Sequence, residues 1–317
     1  MADVDFFAAG TDRYRRELLA HCYRMLGSVQ DAEDLVQETL LRAWRAREDY
    51  DENRAGMRTW LYRIATNACL TALEQRGRRP MPSGLGNAPG DDPREALVHG
   101  GETPWLQPIP DSMLIDPSEA ALAQGSLRLA LVAAMQLLPA RQRAVLVLRE
   151  VLDWPAAQVA QALDMTPAAV NSALQRARKA LNQNGIREDE VTESAEQRAV
   201  LDSYVTAFRN ADLAGLEKLL ADDVIMEMPP MLNWYRGREG YIGFMARVFD
   251  TRGTDWQLVP VGANGGPALA AYVRDAEGGY MLHTLQVFTI GGGRITHMVA
   301  YQVEEVFQLF DLPPRLP

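Results

Sequence analysis

The sequence predicts a multi-domain chain: two all-α helical domains joined by a long linker, followed by a C-terminal α+β domain. Apolar residues recur at helical spacing through residues 11–76 and again through 126–181. Proline and glycine interrupt every such pattern in residues 77–125, which predicts a linker that is mobile or laid over a surface. An amphipathic helix at 195–220 then precedes short alternating segments, the order of a small domain with an antiparallel sheet.

The bulk composition predicts an ordinary globular protein. A chain of 317 residues with 47% hydrophobic and 23% charged residues can bury more than one core. Cys22 and Cys69 are far apart and predict neither a disulfide framework nor a zinc site, which fits a reducing cytoplasm. The first residues, MADVDFF, lack the pattern of a signal peptide, and the apolar stretch 127–138 is too short to span a bilayer. We therefore expect a soluble cytoplasmic protein with no membrane partner.

The charge is unevenly distributed along the chain. A formal net charge of −10 argues against a protein that coats nucleic acid indiscriminately. Yet residues 54–79 contain six arginines and one glutamate, and residues 141–181 contain six cations and three acids. Two basic surfaces on an acidic chain predict a two-point grip on DNA, because the acid elsewhere would suppress stray binding.

Residues 11–76 are predicted to be helical, with Gly27 ending the first helix and Ser28 or Asp31 capping the second. The second helix, in DAEDLVQETLLRAW, carries an acidic stripe that suits a basic partner, although a solvated helix face would look the same. Its candidate partner-binding residues are Asp31, Asp34, Gln37, Glu38 and Arg42. Its apolar residues are expected to be core and packing residues: Leu35, Val36, Leu40, Leu41 and Trp44.

A third helix is predicted over residues 57–76, with Trp60, Asn67 and Thr71 along one stripe. This helix lies in the basic segment 54–79, and its side chains suit an unstacked DNA base: cations can hold the DNA backbone, and an amide or aromatic group can receive the base. Trp60 is expected in the core, while Arg24 and Arg63 can be plain surface. The candidate DNA contacts on and after this helix are Arg58, Arg63, Asn67, Arg76, Arg78 and Arg79.

The linker contains the stretch PWLQPIPDSML, whose large apolar residues are unusual among so many prolines. We expect Trp105, Leu106 and Ile109 to dock on another surface rather than to remain exposed.

Residues 152–181 contain two short helical patterns separated by the turn Asp164–Thr166, which predicts a helix-turn-helix. Thr166 is the expected N-cap of the second helix and Pro167 its first residue. One face of that helix is apolar and packs inward. The other carries side chains that can reach base edges and phosphates, although a helical hairpin with a solvated basic face has the same pattern. These candidate DNA contacts are Asn171, Ser172, Gln175, Arg176, Arg178 and Lys179.

Three motifs together resemble one family. LPARQRAVLVLREVLDWPAAQVAQALDMTPAAVNSALQRARKAL is similar to the helix-turn-helix with which extracytoplasmic-function (ECF) sigma factors of bacterial RNA polymerase read the −35 promoter element. GSVQDAEDLVQETLLRAW resembles their polymerase-docking helix, and RTWLYRIATNACL resembles their −10-element helix. Two residues depart from the family pattern: Asp164, where glycine is frequent in the turn, and Thr71, where an acidic residue is common.

The resemblance implies an arrangement of domains and partners. Residues 1–80 correspond to sigma region 2, residues 81–125 to a linker, and residues 126–183 to sigma region 4. The implied partners are promoter DNA and core RNA polymerase, contacted at the β′ clamp helices and the β flap. The resemblance implies no catalysis, no cofactor and no metal.

Residues 195–317 resemble the SnoaL-like, NTF2-like fold, a cone of helices on a curved sheet around a pocket. VLDSYVTAFRNADLAGLEKLLADDVIMEMPP and WYRGREGYIGFM carry this likeness. With the linker, they place the chain near the SigG-like group of sigma factors. Some relatives of the fold are enzymes, but here we expect a regulatory domain whose pocket is empty or senses a small ligand. The candidate pocket residues are Glu227, Trp234, Tyr235, His283 and His297.

The sequence therefore predicts a sigma factor whose C-terminal domain modulates its activity. The alternative is a free-standing helix-turn-helix regulator with a ligand-sensing or enzymatic NTF2-like domain. Only the sigma factor is expected to co-purify with core polymerase.

Overall fold

The computed structural model describes residues 11, 13–53, 55–114, 127–183 and 194–317, without the side chains of Arg76, Gln183 and Ser194. The described residues form two compact units. The helical unit comprises those of residues 11–79, 112–114, 127 and 131–183. The C-terminal unit comprises residues 80–111, 128–130 and 194–317. In these parts of the chain no helix combines the length and apolarity needed to cross a membrane.

The helical unit begins with α1 (Arg15–Leu26), α2 (Val29–Arg45) and α3 (Met57–Arg76). Gly27, with a φ of 69°, ends α1, because a left-handed residue stops the helix and glycine adopts that conformation without strain. The Ser28 hydroxyl accepts a hydrogen bond from the Asp31 backbone N–H at 3.2 Å and so caps α2. The helix predicted over 57–76 and the cap at Ser28 are confirmed.

The second half of this unit contains all but the first two residues of α4 (Leu129–Gln136), together with α5 (Ala140–Leu146), α6 (Ala156–Leu163) and α7 (Pro167–Gln183). A π-helical turn, Val147–Val151, continues α5. The four helical elements predicted for residues 126–181 are confirmed over the described residues 127–181.

The C-terminal unit contains a helical layer and one sheet. Its helices are α8 (Ser194–Arg209), α9 (Leu213–Lys218), α10 (Gly237–Arg252) and α11 (Glu304–Leu309). Its strands are β1 (Leu220–Glu227), β2 (Trp234–Arg236), β3 (Trp256–Ala263), β4 (Gly266–Arg274), β5 (Tyr280–Gly291), β6 (Arg294–Tyr301) and β7 (Arg315–Leu316). The strand order is β2-β1-β6-β5-β4-β3, with β7 paired to β5.

Two expectations for this unit are wrong. The single helix predicted over 195–220 is split, because Ala211 adopts a left-handed φ of 51° and the Asp212 carboxylate caps α9 by accepting from the Gly215 N–H at 2.9 Å. The predicted antiparallel sheet is mixed, since β1 and β6 pair in parallel. The chain between them includes α10 and three long strands, long enough to return β6 in the same direction as β1.

The linker lies on the C-terminal unit over residues 80–111. The Gly90 N–H donates to the Trp234 carbonyl and the Gly100 N–H to the Pro230 carbonyl, each at 2.8 Å. Trp105, Leu106 and Ile109 are buried. The docking predicted for this segment is confirmed, and the surface that receives it belongs to the C-terminal unit.

Candidate nucleic-acid interface and ligand cavity

The helix-turn-helix is built by α6, its turn and α7. Asp164 adopts a left-handed φ of 51°, and the Thr166 hydroxyl accepts from the Ala169 N–H at 3.2 Å, so the predicted turn and N-cap are both present. The inner faces of the two helices are buried, namely Val159, Ala160 and Leu163 on α6 and Val170, Leu174, Ala177 and Leu181 on α7. This packing fixes which side of α7 faces solvent.

The outer face of α7 presents the predicted DNA contacts. All six are exposed: Asn171, Ser172, Gln175, Arg176, Arg178 and Lys179. Arg178 forms an ion pair with Glu150 at 2.5 Å, although its side chain is 58% exposed. The face therefore offers amides, a hydroxyl and cations together on one rigid helix, the donor set that base edges and phosphates accept.

A second exposed polar stripe follows α3. Arg63, Asn67 and Thr71 are exposed at spacings of four residues. Arg58 is exposed as well, but it pairs with Glu17 at 2.7 Å and stacks over the Tyr62 ring. Trp60, expected in the core, is half-buried against Tyr50, with ring centroids 4.9 Å apart.

The three arginines at the end of α3, Arg76, Arg78 and Arg79, do not share one environment. Arg78 is exposed, and the side chain of Arg76 lies outside the described residues. Arg79 instead forms an ion pair with Asp31 at 2.6 Å, and both side chains are largely buried. A predicted DNA contact and a predicted polymerase contact thus meet each other, which ties the end of α3 to the start of α2.

The acidic helix α2 exposes Asp34, Gln37 and Arg42, and Arg42 pairs with the half-buried Glu38 at 2.7 Å. The core expected from its large apolar residues is wrong in part, since Leu41 is 43% exposed. Leu35, Leu40 and Trp44 are only half-buried, and Val36 alone of the five is fully buried. The buried face is formed by small side chains at helical spacing: Ala32, Val36, Thr39 and Ala43.

Two arginines that the sequence predicted at the surface are buried. Arg24, expected as plain surface, is 3% exposed. Arg143, counted with the basic residues of the second segment, is 2% exposed and donates to the backbone carbonyls of Met25, Gln136 and Leu138 and to the Gln136 side chain. Burial lowers the pKa of each guanidinium to about 10, so both remain charged at neutral pH. Carbonyls at helix ends lack intrahelical partners, which is why they accept these donors.

Arg143 belongs to a wider contact between the two halves of the helical unit. It joins α5 to the end of α1 at Met25. The Gln158 amide on α6 donates to the Thr59 hydroxyl on α3 at 3.3 Å, and the Tyr62 and Trp154 rings meet edge to face at 6.2 Å. The base of the helix-turn-helix therefore packs on the helix that carries the other polar stripe.

The C-terminal unit contains a cavity of about 320 Å³. Of the five predicted pocket residues, only His283 lines it. Its wall is otherwise mostly apolar, with neutral polar groups and two arginines; it comprises Leu97, Phe208, Met226, Met228, Met231, Phe244, Met245, Arg247, Val248, Thr251, Arg252, Trp256, Thr284, Gln286, Met298, Ala300 and Gln302. Burial, followed by the nearby charge of Arg252, lowers the pKa of His283 to about 4, so this imidazole is neutral at neutral pH.

The other predicted pocket residues lie beside the linker, and their assignment to the cavity is corrected accordingly. The Glu227 carboxylate contacts His297 Nε2 at 2.7 Å and accepts from the Ser83 backbone N–H at 2.8 Å. Burial acts to raise the pKa of Glu227, but His297 and Ser83 outweigh it and hold that pKa below its usual value. Trp234 donates its indole N–H to the Asn87 carbonyl at 3.1 Å, and Tyr235 packs against Gly90.

The strand pairing explains the mistaken assignment. Successive residues of a strand face opposite sides of the sheet. Met226 and Met228 line the cavity, so Glu227 between them faces away, and His297 does the same beside Met298. On β5 a register shift leaves His283 between the paired residues Leu282 and Thr284. This bulge lets two successive side chains, His283 and Thr284, face the cavity.

Comparison with known proteins assigns all three parts of the chain. The Sigma-70 region 2 model matches residues 11–79, the Sigma-70 region 4 model matches 128–181, and the SnoaL-like domain model matches 201–298. The ECF RNA polymerase sigma factor SigG of Mycobacterium tuberculosis is 45% identical over 98% of this chain and 85% of its own length.

More distant relatives agree with that assignment. SigW, an ECF RNA polymerase sigma factor of Bacillus subtilis, is 34% identical over 56% of this chain and 88% of its own length. The crystal structure of the Mycobacterium tuberculosis ECF sigma factor SigJ covers 96% of this chain and 99% of its own, with 24% identity and a TM-score of 0.67, and so shares the fold. The chain belongs to the family of ECF RNA polymerase sigma factors, with a SnoaL-like domain after region 4.

Proposed function

We propose that this sigma factor reads the −35 promoter element with the outer face of α7 and the −10 element with the exposed stripe of α3. One observation carries the proposal: α5 and α6 pack against α7, every large apolar residue of α7 is buried, and its six polar candidates are exposed together. A helix held in this way can enter the major groove without unfolding or exposing apolar surface.

The −35 surface is tested with Arg176→Ala in reconstituted holoenzyme. A bidentate arginine–guanine contact is worth roughly 1–3 kcal/mol of discrimination, so promoter affinity should fall about 5- to 150-fold while core binding is unchanged. Lys179→Ala should lower the salt dependence of binding by about one counterion, as expected for a phosphate contact. Arg141, exposed at the start of α5, gives the matched control Arg141→Ala. Equal effects of Arg176→Ala and Arg141→Ala would contradict the assignment.

The −10 surface is assigned to Arg63 and Asn67, with Arg58 and Arg78 beside them. Arg58 is partly engaged by Glu17, so Asn67 is the sharper probe of base recognition. Asn67→Ala should slow promoter opening, measured by permanganate reactivity of unstacked thymines, and leave closed-complex affinity within about threefold. Gln75, an exposed neutral amide near the end of the same helix and outside the assigned residues, gives the control Gln75→Ala. Normal opening by Asn67→Ala would remove this residue from the site.

We infer that α2 binds core polymerase through Asp34, Gln37, Glu38 and Arg42, with the exposed Leu41 adding an apolar contact. Asp31 is less available because Arg79 occupies its carboxylate. Leu41→Asp should weaken binding to sigma-free core polymerase at least tenfold, because the exposed apolar side chain would no longer be buried in the interface. Glu33→Lys, an exposed change on the same helix, is the control for general charge effects. Undiminished binding by Leu41→Asp would remove this face of α2 from the interface.

We further propose that the chain performs no covalent chemistry and that the C-terminal unit modulates initiation through the linker it holds. The linker leaves region 2 directly after Arg79 and is buried at Trp105, Leu106 and Ile109. Trp105→Ala should undock this segment and change the yield or the choice of promoter in transcription with purified holoenzyme. Val98→Ala, at an exposed linker residue, is the control. Unchanged transcription despite measured loss of linker protection would contradict the modulating role.

A further inference from the structure

The cavity of the C-terminal unit is too large to be a packing defect. Protein interiors have few voids larger than a water molecule, whereas ligand pockets usually begin near about 300 Å³. This one measures about 320 Å³. Its apolar wall includes five methionine side chains, which are flexible and polarizable and adapt to irregular ligands: Met226, Met228, Met231, Met245 and Met298.

Apart from Arg252, which is exposed to solvent, the polar groups of the cavity are neutral or already engaged. No carboxylate is found among the described residues that line it. Arg247 donates hydrogen bonds to the backbone carbonyls of Pro93 at 2.9 Å and Glu95 at 2.5 Å, so its guanidinium binds the linker. The other polar groups are uncharged: Gln286 accepts a hydrogen bond from Tyr204 at 3.2 Å, and Gln302 contacts His283 at 3.1 Å.

The linker forms part of the cavity wall. Leu97 lines the space and packs on the apolar core of the unit. Its neighbour Val98 is fixed at both backbone groups: its N–H donates to the Asn233 side chain and its carbonyl accepts from the Leu232 N–H, each at 2.7 Å. A ligand that contacts Leu97 therefore contacts the linker in its docked position.

We propose that this cavity binds an uncharged, largely apolar small molecule, which hydrogen-bonds to Gln286, Thr284 or His283 and which stabilises the docked linker through Leu97. An ionised ligand would lose its hydration, and the charge of Arg252, which is exposed and therefore screened by water, would offset that loss only in part. An apolar molecule would make van der Waals contacts with the side chains that line the cavity. Because the ligand binds the docked linker more tightly than the undocked one, linkage requires the two events to favour each other.

Binding is tested on the full chain with Nile red, an uncharged apolar dye, and with anilinonaphthalene sulfonate, an anionic dye of similar size. Nile red should bind saturably at one site and at least tenfold more tightly than the anion. Ala300→Phe, which fills the cavity, and Thr251→Trp, which covers its edge from an exposed position, should each weaken binding at least tenfold. The control is Val259→Phe, at an exposed site outside the cavity. Thr251→Trp keeps the test decisive if Ala300→Phe fails to fold.

Saturating Nile red should also slow hydrogen exchange of linker residues 94–100, and Leu97→Ala should abolish that protection while Leu85→Ala, at an exposed linker leucine, should not. The proposal is overturned if Nile red shows no saturable site, if the anion binds equally well, or if both cavity variants bind normally. Binding without linker protection would overturn the coupling. These readouts need no polymerase, so their failure is distinct from failure of the promoter surfaces; only the consequence for transcription rests on the proposed function.

Discussion

The helical unit and the C-terminal unit both bury charged side chains, but of opposite sign and against different partners. In the helical unit Arg143 lies among carbonyls and joins α5 to the end of α1. In the C-terminal unit Glu227 lies between His297 and the backbone N–H of Ser83, which holds the linker on the sheet. In each case a buried charge fixes a tertiary contact that the apolar pattern alone does not specify.

The difference lies in what each unit leaves for other molecules. The helical unit uses its buried cations internally and keeps a second set of cations exposed on α7 and α3. The C-terminal unit uses its buried acid for the linker and keeps an apolar cavity on the other side of the same strand. Buried charged side chains therefore support the fold, whereas exposed ones are available to other molecules. Composition alone does not separate these two roles.

The largest effect is expected from Arg143→Met, which removes a buried charge of the helical unit. Three backbone carbonyls and the Gln136 side chain would lose a buried donor, at about 1–3 kcal/mol for each group left unsatisfied. We expect the helical unit to lose roughly 3 kcal/mol or more, measured by native-state hydrogen exchange of α1 and α5. Arg141→Met, at an exposed site, should change stability by less than about 0.5 kcal/mol. Equal losses from the two variants would show that Arg143 is not a structural cation.

Glu227→Gln tests the corresponding contact in the C-terminal unit. The variant keeps an acceptor for Ser83 but removes the charge opposite His297, so we expect a loss of about 2 kcal/mol at neutral pH, measured by exchange of the β1 and β6 amides. The pKa of Glu227 is held below its ordinary 4.5, so its stabilisation is present above that pH and is lost as the pH falls below it. The variant should therefore show a smaller loss in acid. Glu217→Gln, on the exposed side of α9, should follow the native curve.

Local patterns predicted α7 well. The limits of α7, its N-cap at Thr166 and its six exposed polar residues follow from periodicity and capping within a window of about one helix. Asp164 in the turn required only that aspartate tolerate the left-handed conformation.

The same reasoning could not predict contacts between residues that are distant in the sequence. Arg143 and the Met25 carbonyl are 118 positions apart, and nothing near Arg143 in the sequence marks it as buried. Glu227 and His297 were placed in the cavity because their types suit one, but alternation along β1 and β6 turns them to the other face. Which face of the sheet lines the cavity and which is covered by the linker is set only in the folded chain.

Acid should affect both units through histidine, with a smaller effect than the buried ion contacts. Burial lowers the pKa of His21, which contacts the Thr66 hydroxyl in the helical unit, to about 3, and that of His283 to about 4. The unfolded chain binds protons at these residues below about pH 6.5 while the folded chain does not, so stability falls as the pH drops from 6.5 toward those values.

His283→Gln should therefore recover on the order of 1–2 kcal/mol of the stability that the C-terminal unit loses between pH 6.5 and 4.5, since the partly exposed site discounts the full shift. The measurement is urea unfolding across this pH range. His99→Gln, which replaces an exposed imidazole of the linker, should leave the acid loss unchanged. An acid loss equal to the native one in His283→Gln would mean that His283 is protonated in the folded protein.

The smallest effect is expected from Asp164→Gly, which changes only local backbone energy. Asp164 is exposed and adopts a φ of 51°, so glycine removes the steric cost of the left-handed conformation but increases the entropy of the unfolded chain. The net gain should be below about 1 kcal/mol, whereas Asp164→Ala should lose about 1 kcal/mol because its Cβ keeps the strain without the local hydrogen bonds of aspartate. Urea unfolding of the two variants measures both. If Asp164→Gly instead destabilises the helical unit by more than about 1 kcal/mol, the Asp164 carboxylate supports the turn through a contact that backbone geometry alone does not provide. The turn would then depend on a charged side chain, as the helical unit depends on Arg143 and the C-terminal unit on Glu227.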